Sequence, residues 1–264
     1  MRRLVWALFL PLNALQALAT ILWGAFWISV ALAARLVARS RAPALWLARR
    51  VWAPGQIWIG LARWRVAGRE HLVADRAYLV VANHQSWIDI PCLFVAVPGA
   101  LHFLAKQELA RVPFLGWYIE AMGMVFVDRR DHRRATKSVD RARELLAGGA
   151  RLASFPEGTR AAPDLLGAFR SGGFGAAIDA QVEVLPVAIR GAGRVLPRRG
   201  FAVRPGTIDI AFGAPISTVG LAHGDRAALA RRAERAVANL LGIDRPSLSG
   251  RPGAGRSRSG AGGA

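Results

Sequence analysis

Apolar residues dominate the stretch from Leu4 to Ala34, and no charged residue interrupts it. That length exceeds the roughly 20 apolar residues a helix needs to cross a bilayer. Pro11, Asn13, Gln16 and Gly24 break its uniformity. Basic residues lie at both ends: Arg2 and Arg3 before it, and Arg35, Arg39, Arg41, Arg49 and Arg50 after it. Lys and Arg near segment ends mark the cytoplasmic side. With both ends so marked, the pattern predicts either a pair of helices dipping into one leaflet or one tilted helix. Trp6, Trp23, Trp27 and Trp46 suit the aromatic belt at a membrane–water interface. Ala17-Leu18-Ala19 has the small-residue spacing of a leader cleavage site, yet the apolar run continues to Ala34, which favours a retained anchor. A second greasy stretch, Ala42 to Leu61, mixes tryptophans with Arg49 and Arg50 and is broken by Pro54-Gly55. It fits a helix on an anionic membrane surface and equally a helix packed on a catalytic core.

From Trp64 onward, short apolar runs alternate with helical periodicity. Strands are predicted at Trp64–Val66, Tyr78–Ala82, Leu101–Ala105, Met124–Val127, Arg151–Phe155, Val182–Ile189 and Thr207–Phe212. Tyr78–Ala82 has no polar alternation, as expected of a strand buried on both faces. Helices are predicted near Ile90–Ala96, over Arg133–Leu146 before Gly148-Gly149, and from Asp225 to a stop at Gly242. In the last of these, Leu229, Ala233, Val237 and Leu240 share one face. Strands alternating with helices predict an α/β fold: a mixed, largely parallel sheet flanked by helices, behind an N-terminal helical membrane anchor. The divisions that follow are 1–62 for the anchoring helices, 63–244 for a catalytic domain and 245–264 for a basic tail. That tail is rich in Pro, Gly, Ser and Arg, and its composition predicts disorder.

Charge narrows the partners. The 264-residue chain carries a formal net charge of +19, from 36 Lys+Arg against 17 Asp+Glu. A basic surface implies anionic lipid, an acidic carrier protein or nucleic acid. The single Cys92 excludes an internal disulfide and fits a reducing compartment. No H-x-x-x-H or C-x-x-C pattern occurs, so no metal site is predicted. A Walker loop, a G-x-G-x-x-G fingerprint and a G-x-S-x-G elbow are also missing.

The chemistry concentrates in two blocks, each behind an apolar run. Asn83-His84-Gln85-Ser86-Trp87-Ile88-Asp89 reads N-H-x-S-x-x-D. A neutral imidazole takes a proton from a hydroxyl near pH 7. A carboxylate at Asp89 would hold the other ring nitrogen of His84, fixing its tautomer and stabilising the imidazolium. Ser86-x-x-Asp89 is also a capping-box pattern, so Asp89 has a purely structural alternative. The second block is Phe155-Pro156-Glu157-Gly158-Thr159-Arg160. Gly158 lets the backbone approach a ligand. Thr159 and Arg160 suit phosphate oxygens, and Glu157 is expected to orient Arg160 or bond a substrate hydroxyl. Lys106 and Arg129 follow predicted strands, where sheet enzymes bind ligands, and converging cations imply an anionic substrate.

These motifs resemble those of the glycerolipid acyltransferase family, in its 1-acyl-sn-glycerol-3-phosphate acyltransferase branch. The likeness runs from about Val66 to Ile216. The Asn83–Asp89 block matches the family's first motif. Gly123-Met124-Val125-Phe126-Val127-Asp128-Arg129 matches the second, Phe155–Arg160 the third, and Val184–Ile189 resembles the fourth. Ala161 stands where relatives often carry serine, and Phe169-Arg170-Ser171-Gly172 replaces a lysine-rich element. The resemblance implies a family-type mixed sheet and transfer of an acyl group to the sn-2 hydroxyl of lysophosphatidic acid, giving phosphatidic acid. The donor would be a thioester of acyl carrier protein or coenzyme A, with no bound cofactor. His84 and Asp89 would be catalytic, while Lys106, Arg129, Glu157, Gly158, Thr159 and Arg160 would bind substrate. The implied partners are membrane lipids, the lysophospholipid acceptor and the donor carrier, not nucleic acid. The implied location is the cytoplasmic face of a bacterial inner membrane. Competing readings are acylation of another lysolipid, such as lyso-ornithine lipid, and a non-catalytic anionic-lipid-binding protein.

Overall fold

The computed structural model describes residues 2–128, 132–163, 165–198 and 202–243, with side chains described from residue 10 onward apart from 132–135. Arg129 and the expected tail therefore lie outside the described residues.

The apolar N-terminal run forms one helix, α1 (Arg2–Ala38), which carries Pro11 without ending. At 1.5 Å per residue it is about 55 Å long. A pair of helices inside this run is not what forms. The second helix comes from the next greasy stretch: α2 (Ala42–Leu47), a π-helical turn over Ala48–Trp52, and α3 (Ala53–Ile59). These three pieces run back along α1. Gln16 Nε2 donates to the Ile59 carbonyl at 3.0 Å, Gln56 Nε2 to Thr20 Oγ1 at 3.1 Å, and Trp23 Nε1 to the Trp52 carbonyl at 3.0 Å. Pro54-Gly55, a break in the sequence pattern, lies inside α3. Gly55 is there for space, because a Cβ would sit 2.2 Å from the Trp23 ring. The packed reading of this second stretch is what the structure bears out, on one face; the other face is open to solvent. Ala44, Leu45, Ala53 and Ile57 are buried, while Trp46 and Trp58 are exposed. In α1 the segment Leu10–Ala38 is long and apolar enough to cross a membrane. Only 6% of its most apolar window is buried, so those side chains face outward rather than into a core.

The remaining elements alternate. In chain order they are β1 (Ala62–Ala67), β2 (Tyr78–Ala82), α4 (Asp89–Ala96), β3 (Leu101–Lys106), α5 (Leu115–Ala121), β4 (Val125–Val127), α6 (His132–Ala147), β5 (Arg151–Ser154), α7 (Gly172–Asp179), β6 (Val184–Arg190), α8 (Ala192–Val195), β7 (Gly206–Phe212) and α9 (Arg226–Leu241). The seven strands form one sheet in the order β1-β7-β6-β2-β5-β3-β4. Every pairing is parallel except β6 with β7. The predicted mixed, largely parallel sheet is what forms.

Central β2 shows why its residues read as continuously apolar. Tyr78, Val80 and Ala82 face a core shared with α3 and α4, including Ile57, Leu93 and Phe94. Leu79 and Val81 face the other core, with Leu146, Phe174 and Leu229 of α6, α7 and α9. Alternate side chains point to opposite faces, and both faces are covered. Helix α7 was not predicted, because Gly172-Gly173 and Gly175 depress helix propensity. Burial of Phe174, Ala176, Ala177 and Ile178 overrides that preference. At the start of β5 the buried Arg151 donates to the carbonyls of Val73, Arg76 and Pro98, tying two loops to the sheet.

Strands β2, β5, β3 and β4 are consecutive in the sheet and mutually parallel. Their C-terminal ends therefore share one edge. His84 follows β2, Phe155–Arg160 follows β5, and Lys106 ends β3 on that edge.

Candidate active site

The turn between β2 and α4 is built around one carboxylate oxygen. Asp89 Oδ2 accepts the Gln85 N–H at 2.7 Å and the Ser86 N–H at 2.8 Å, and lies 2.8 Å from His84 Nδ1. Asp89 is fully buried. The backbone bonds of the capping reading and the His84 contact that the catalytic reading requires thus fall on the same atom, although the cap position of α4 is Ile88 rather than Ser86. The reach back to Ser86 organises the turn, and the same oxygen fixes the imidazole. His84 presents Nδ1 to Asp89, which leaves Nε2 for a substrate proton. The imidazole also stacks on Phe155, with centroids 4.1 Å apart and planes 17° apart. Asn83 has a structural task. Its amide exchanges two hydrogen bonds with Ile189, at 2.9 and 2.7 Å, extending the β2–β6 pairing past the end of β2.

The two sequence blocks are joined through their backbones. Glu157 Oε1 accepts the His84 N–H at 2.6 Å, and Oε2 accepts the Gly167 N–H at 2.6 Å. In return the His84 carbonyl accepts the Ala161 N–H at 2.7 Å. The expectation that Glu157 orients Arg160 or meets a substrate hydroxyl is replaced by this bridge. A buried carboxylate facing two orphan backbone donors satisfies both at once. Burial pushes the Glu157 carboxyl up to about 7, against the pull of those two N–H groups. Gly158 has φ of +75°, the left-handed region that favours glycine.

The cations are distributed along the edge. The Arg160 guanidinium lies over the Trp87 ring, 4.8 Å from its centroid. Burial lowers its pKa, as does the neighbouring Arg198, while Asp89 opposes them. Lys106 is exposed and pairs with Glu108 at 3.0 Å. Thr159 is exposed beside Arg160. Thus His84, Asp89 and Glu157 come together with their blocks, Lys106 ends the strand next to β5, and Arg129 lies outside the described residues. Among the described residues no group of three or more His, Cys, Asp or Glu side chains could hold a metal ion.

Sequence reasoning missed three contributors. The Phe155 ring and Trp87 lie inside the motifs, but only the folded site shows that one stacks on His84 and the other carries Arg160. Gly167 had no local signal. A Cβ there would stand 2.7 Å from Glu157 Oε2, so its lack of a side chain admits the bridge.

An imidazole fixed by a buried carboxylate at the C-terminal edge of a parallel sheet has the geometry suited to proton abstraction, and the chain carrying it belongs to the acyltransferase family, whose profile matches residues 63–190. Its similarities are specific. It is 32% identical over 200 residues to a 1-acyl-sn-glycerol-3-phosphate acyltransferase of Pseudomonas aeruginosa, covering 75% of this chain and 73% of that one. To the enzyme of that name from Chlamydomonas reinhardtii it is 37% identical over 147 residues, covering 55% of this chain and 44% of the relative. The chain thus spans less than half the length of that algal relative and of a chloroplast relative from Arabidopsis thaliana. The crystal structure of the 1-acyl-sn-glycerophosphate acyltransferase PlsC from Thermotoga maritima matches with a TM-score of 0.74 at 26% identity, covering 93% of this chain and 100% of that one.

Proposed function

We propose that the chain transfers a fatty acyl group from a thioester to the sn-2 hydroxyl of lysophosphatidic acid, giving phosphatidic acid. The single observation that carries this reading is the pairing of His84 Nδ1 with the buried Asp89 carboxylate at 2.8 Å. His84 Nε2 takes the proton as the hydroxyl oxygen attacks the thioester carbonyl. Asp89 stabilises the imidazolium so formed. The tetrahedral intermediate collapses, the C–S bond breaks, and the imidazolium returns its proton to the departing thiolate. No serine acyl-enzyme is needed, since the acceptor hydroxyl is itself the nucleophile.

The acceptor's phosphate is assigned to Arg160 and Lys106, with Gly158 and Thr159 completing that region; Arg129, outside the described residues, is assigned to the same phosphate on its motif alone. The similarity to the Pseudomonas and Thermotoga proteins supports a lysophosphatidic acid acceptor. The donor is assigned to a thioester of acyl carrier protein or coenzyme A, with no further cofactor. Residues 1–62 act as the anchor and 63–244 as the catalytic domain. The basic residues flanking the anchor support a site at the cytoplasmic face of a bacterial inner membrane.

Purified protein in detergent is expected to acylate lysophosphatidic acid, and H84A is expected to lower kcat by about 10²–10⁴-fold with unchanged thermal unfolding. An acceptor panel containing other lysophospholipids and lyso-ornithine lipid identifies the substrate. Full turnover by folded H84A would remove the base mechanism.

A further inference from the structure

We infer that the segment from Val112 to Trp117 is a second membrane-contact element: an aromatic prong that enters an anionic lipid leaflet beside α1, at the rim of the active site. This rests on the lipid-acyltransferase reading above and extends it from the N-terminal helices to the catalytic domain.

Three large apolar side chains lie exposed within six residues: Val112 at 41%, Phe114 at 49% and Trp117 at 59%. Exposed apolar clusters with a polar rim mark interaction surfaces. The backbone here is held rather than loose. Phe114 has φ of +61°, a conformation that costs a bulky residue energy and persists only where its surroundings impose it. The Val112 carbonyl accepts the Gly116 N–H at 2.8 Å, and the Phe114 carbonyl accepts the Tyr118 N–H at 2.9 Å. Gly116 has no room for a side chain, since a Cβ would lie 2.4 Å from the Ala110 carbonyl oxygen. A strained, well-anchored turn therefore holds two aromatic rings outward, with centroids 5.4 Å apart.

The surroundings select the occupant. The inner face of α5 packs on the helical pair, where Tyr118, Ala121 and Met122 meet Ala31, Ala44 and Leu45. Arg41, in the turn between α1 and α2, donates to the Ala121 carbonyl at 3.2 Å. The prong is thus fixed to the base of the outward-facing apolar helix, and the two apolar surfaces are neighbours. Lys106 and Arg111 flank it, on a chain of net charge +19. Aromatic tips beside cations suit the headgroup level of an anionic leaflet. The prong also follows β3, whose C-terminal end shares its edge with the His84 loop. A leaflet gripped here would let a lipid acceptor reach the base with its acyl chain still in the membrane.

Depth measurement with a nitroxide tests this on the full chain. Cys92 is buried, and burial raises its thiol pKa well above the usual value, so an added surface cysteine is labelled selectively. The variants are F114C and, as control, V219C. Val219 is 79% exposed and lies just past Ile216, which bridges to Val184 at the opposite edge of the sheet. The probe is vesicles of phosphatidylethanolamine and phosphatidylglycerol. On vesicle binding, the label at F114C should lose collisions with a water-soluble nickel complex and gain collisions with oxygen, while V219C stays unchanged. A chain that floats with the vesicles but leaves F114C as water-accessible as V219C overturns the prong while the acyltransferase reading stands. A chain that never floats overturns the prong and the anchor assigned to residues 1–62, while turnover in detergent decides the acyltransferase reading separately. As a second arm, F114S/W117S should raise the apparent KM for bilayer-embedded lysophosphatidic acid by about tenfold or more. Turnover of a short-chain, water-soluble acceptor should be retained. An equal loss on both acceptors would show a structural role and overturn the proposal.

Discussion

Replacing Glu157 with glutamine should change stability in a pH-dependent way. The wild-type carboxyl is 5% exposed and accepts backbone N–H groups from His84 and Gly167, each at 2.6 Å. Burial raises its pKa from 4.5 to about 7. Between those two values the folded chain holds a proton that the unfolded chain has lost. The group's contribution to stability is therefore complete below about pH 4.5 and is lost as pH rises through about 7. At about 1.4 kcal/mol per pH unit, the whole span amounts to roughly 3 kcal/mol. In E157Q the titration disappears. One amide oxygen still accepts a backbone N–H, but the amide nitrogen faces the other donor, at a cost of roughly 1–3 kcal/mol. Near pH 5 the variant should be less stable by about that amount. Near pH 8, relief of the buried charge should offset the loss and bring the two proteins close together. With about 2–4 °C per kcal/mol for a domain of this size, the Tm difference should move by roughly 6–12 °C between the two conditions. Thermal unfolding in detergent, followed by tryptophan fluorescence, measures it. A Tm difference that stays constant across the range would refute the reasoning. Activity near pH 8 should still fall, by about tenfold in kcat, because the loop that positions His84 has lost one of its two ties.

Further substitutions probe the same site and its support. D89N retains an oxygen for the Gln85 and Ser86 N–H groups but loses the charge, so kcat should drop by about 10²–10⁴-fold at nearly native Tm. D89A should lose a similar amount of activity and also lower Tm, because two buried N–H groups lose their acceptor at about 1–3 kcal/mol each. G167A should mimic E157Q in activity, since its Cβ would meet Glu157 Oε2 at 2.7 Å; unchanged turnover would sever Gly167 from the site. G55V should unseat the Trp23 ring from α3, lowering Tm by several degrees at about 1–3 kcal/mol of overpacking while leaving a folded catalytic sheet; an unaltered Tm would refute the slot.

Local pattern determined much of this protein. Tyr78–Ala82 reads as a strand covered on both faces, and the spacing of His84 to Asp89 already placed a base within reach of a carboxylate. These are short-range properties, set by periodicity and by residues on one turn. Other features needed the folded chain. Alternative roles for Asp89, cap or orienting group, merge in one oxygen because the turn wraps around it. Glu157 reads as a ligand-facing residue in its motif, yet it bridges to His84, 73 positions away, and to Gly167. Gly172–Asp179 carries three glycines that weaken any helical signal, and it becomes a helix because the sheet buries its apolar side. Pro54-Gly55 reads as a break and becomes a slot for Trp23. Apart from Asp89, whose partners lie within five residues, the deciding partner is distant along the chain. A sequence window registers propensity and period, whereas burial, and the orphan donors that burial leaves to be satisfied, exist only once the elements have packed.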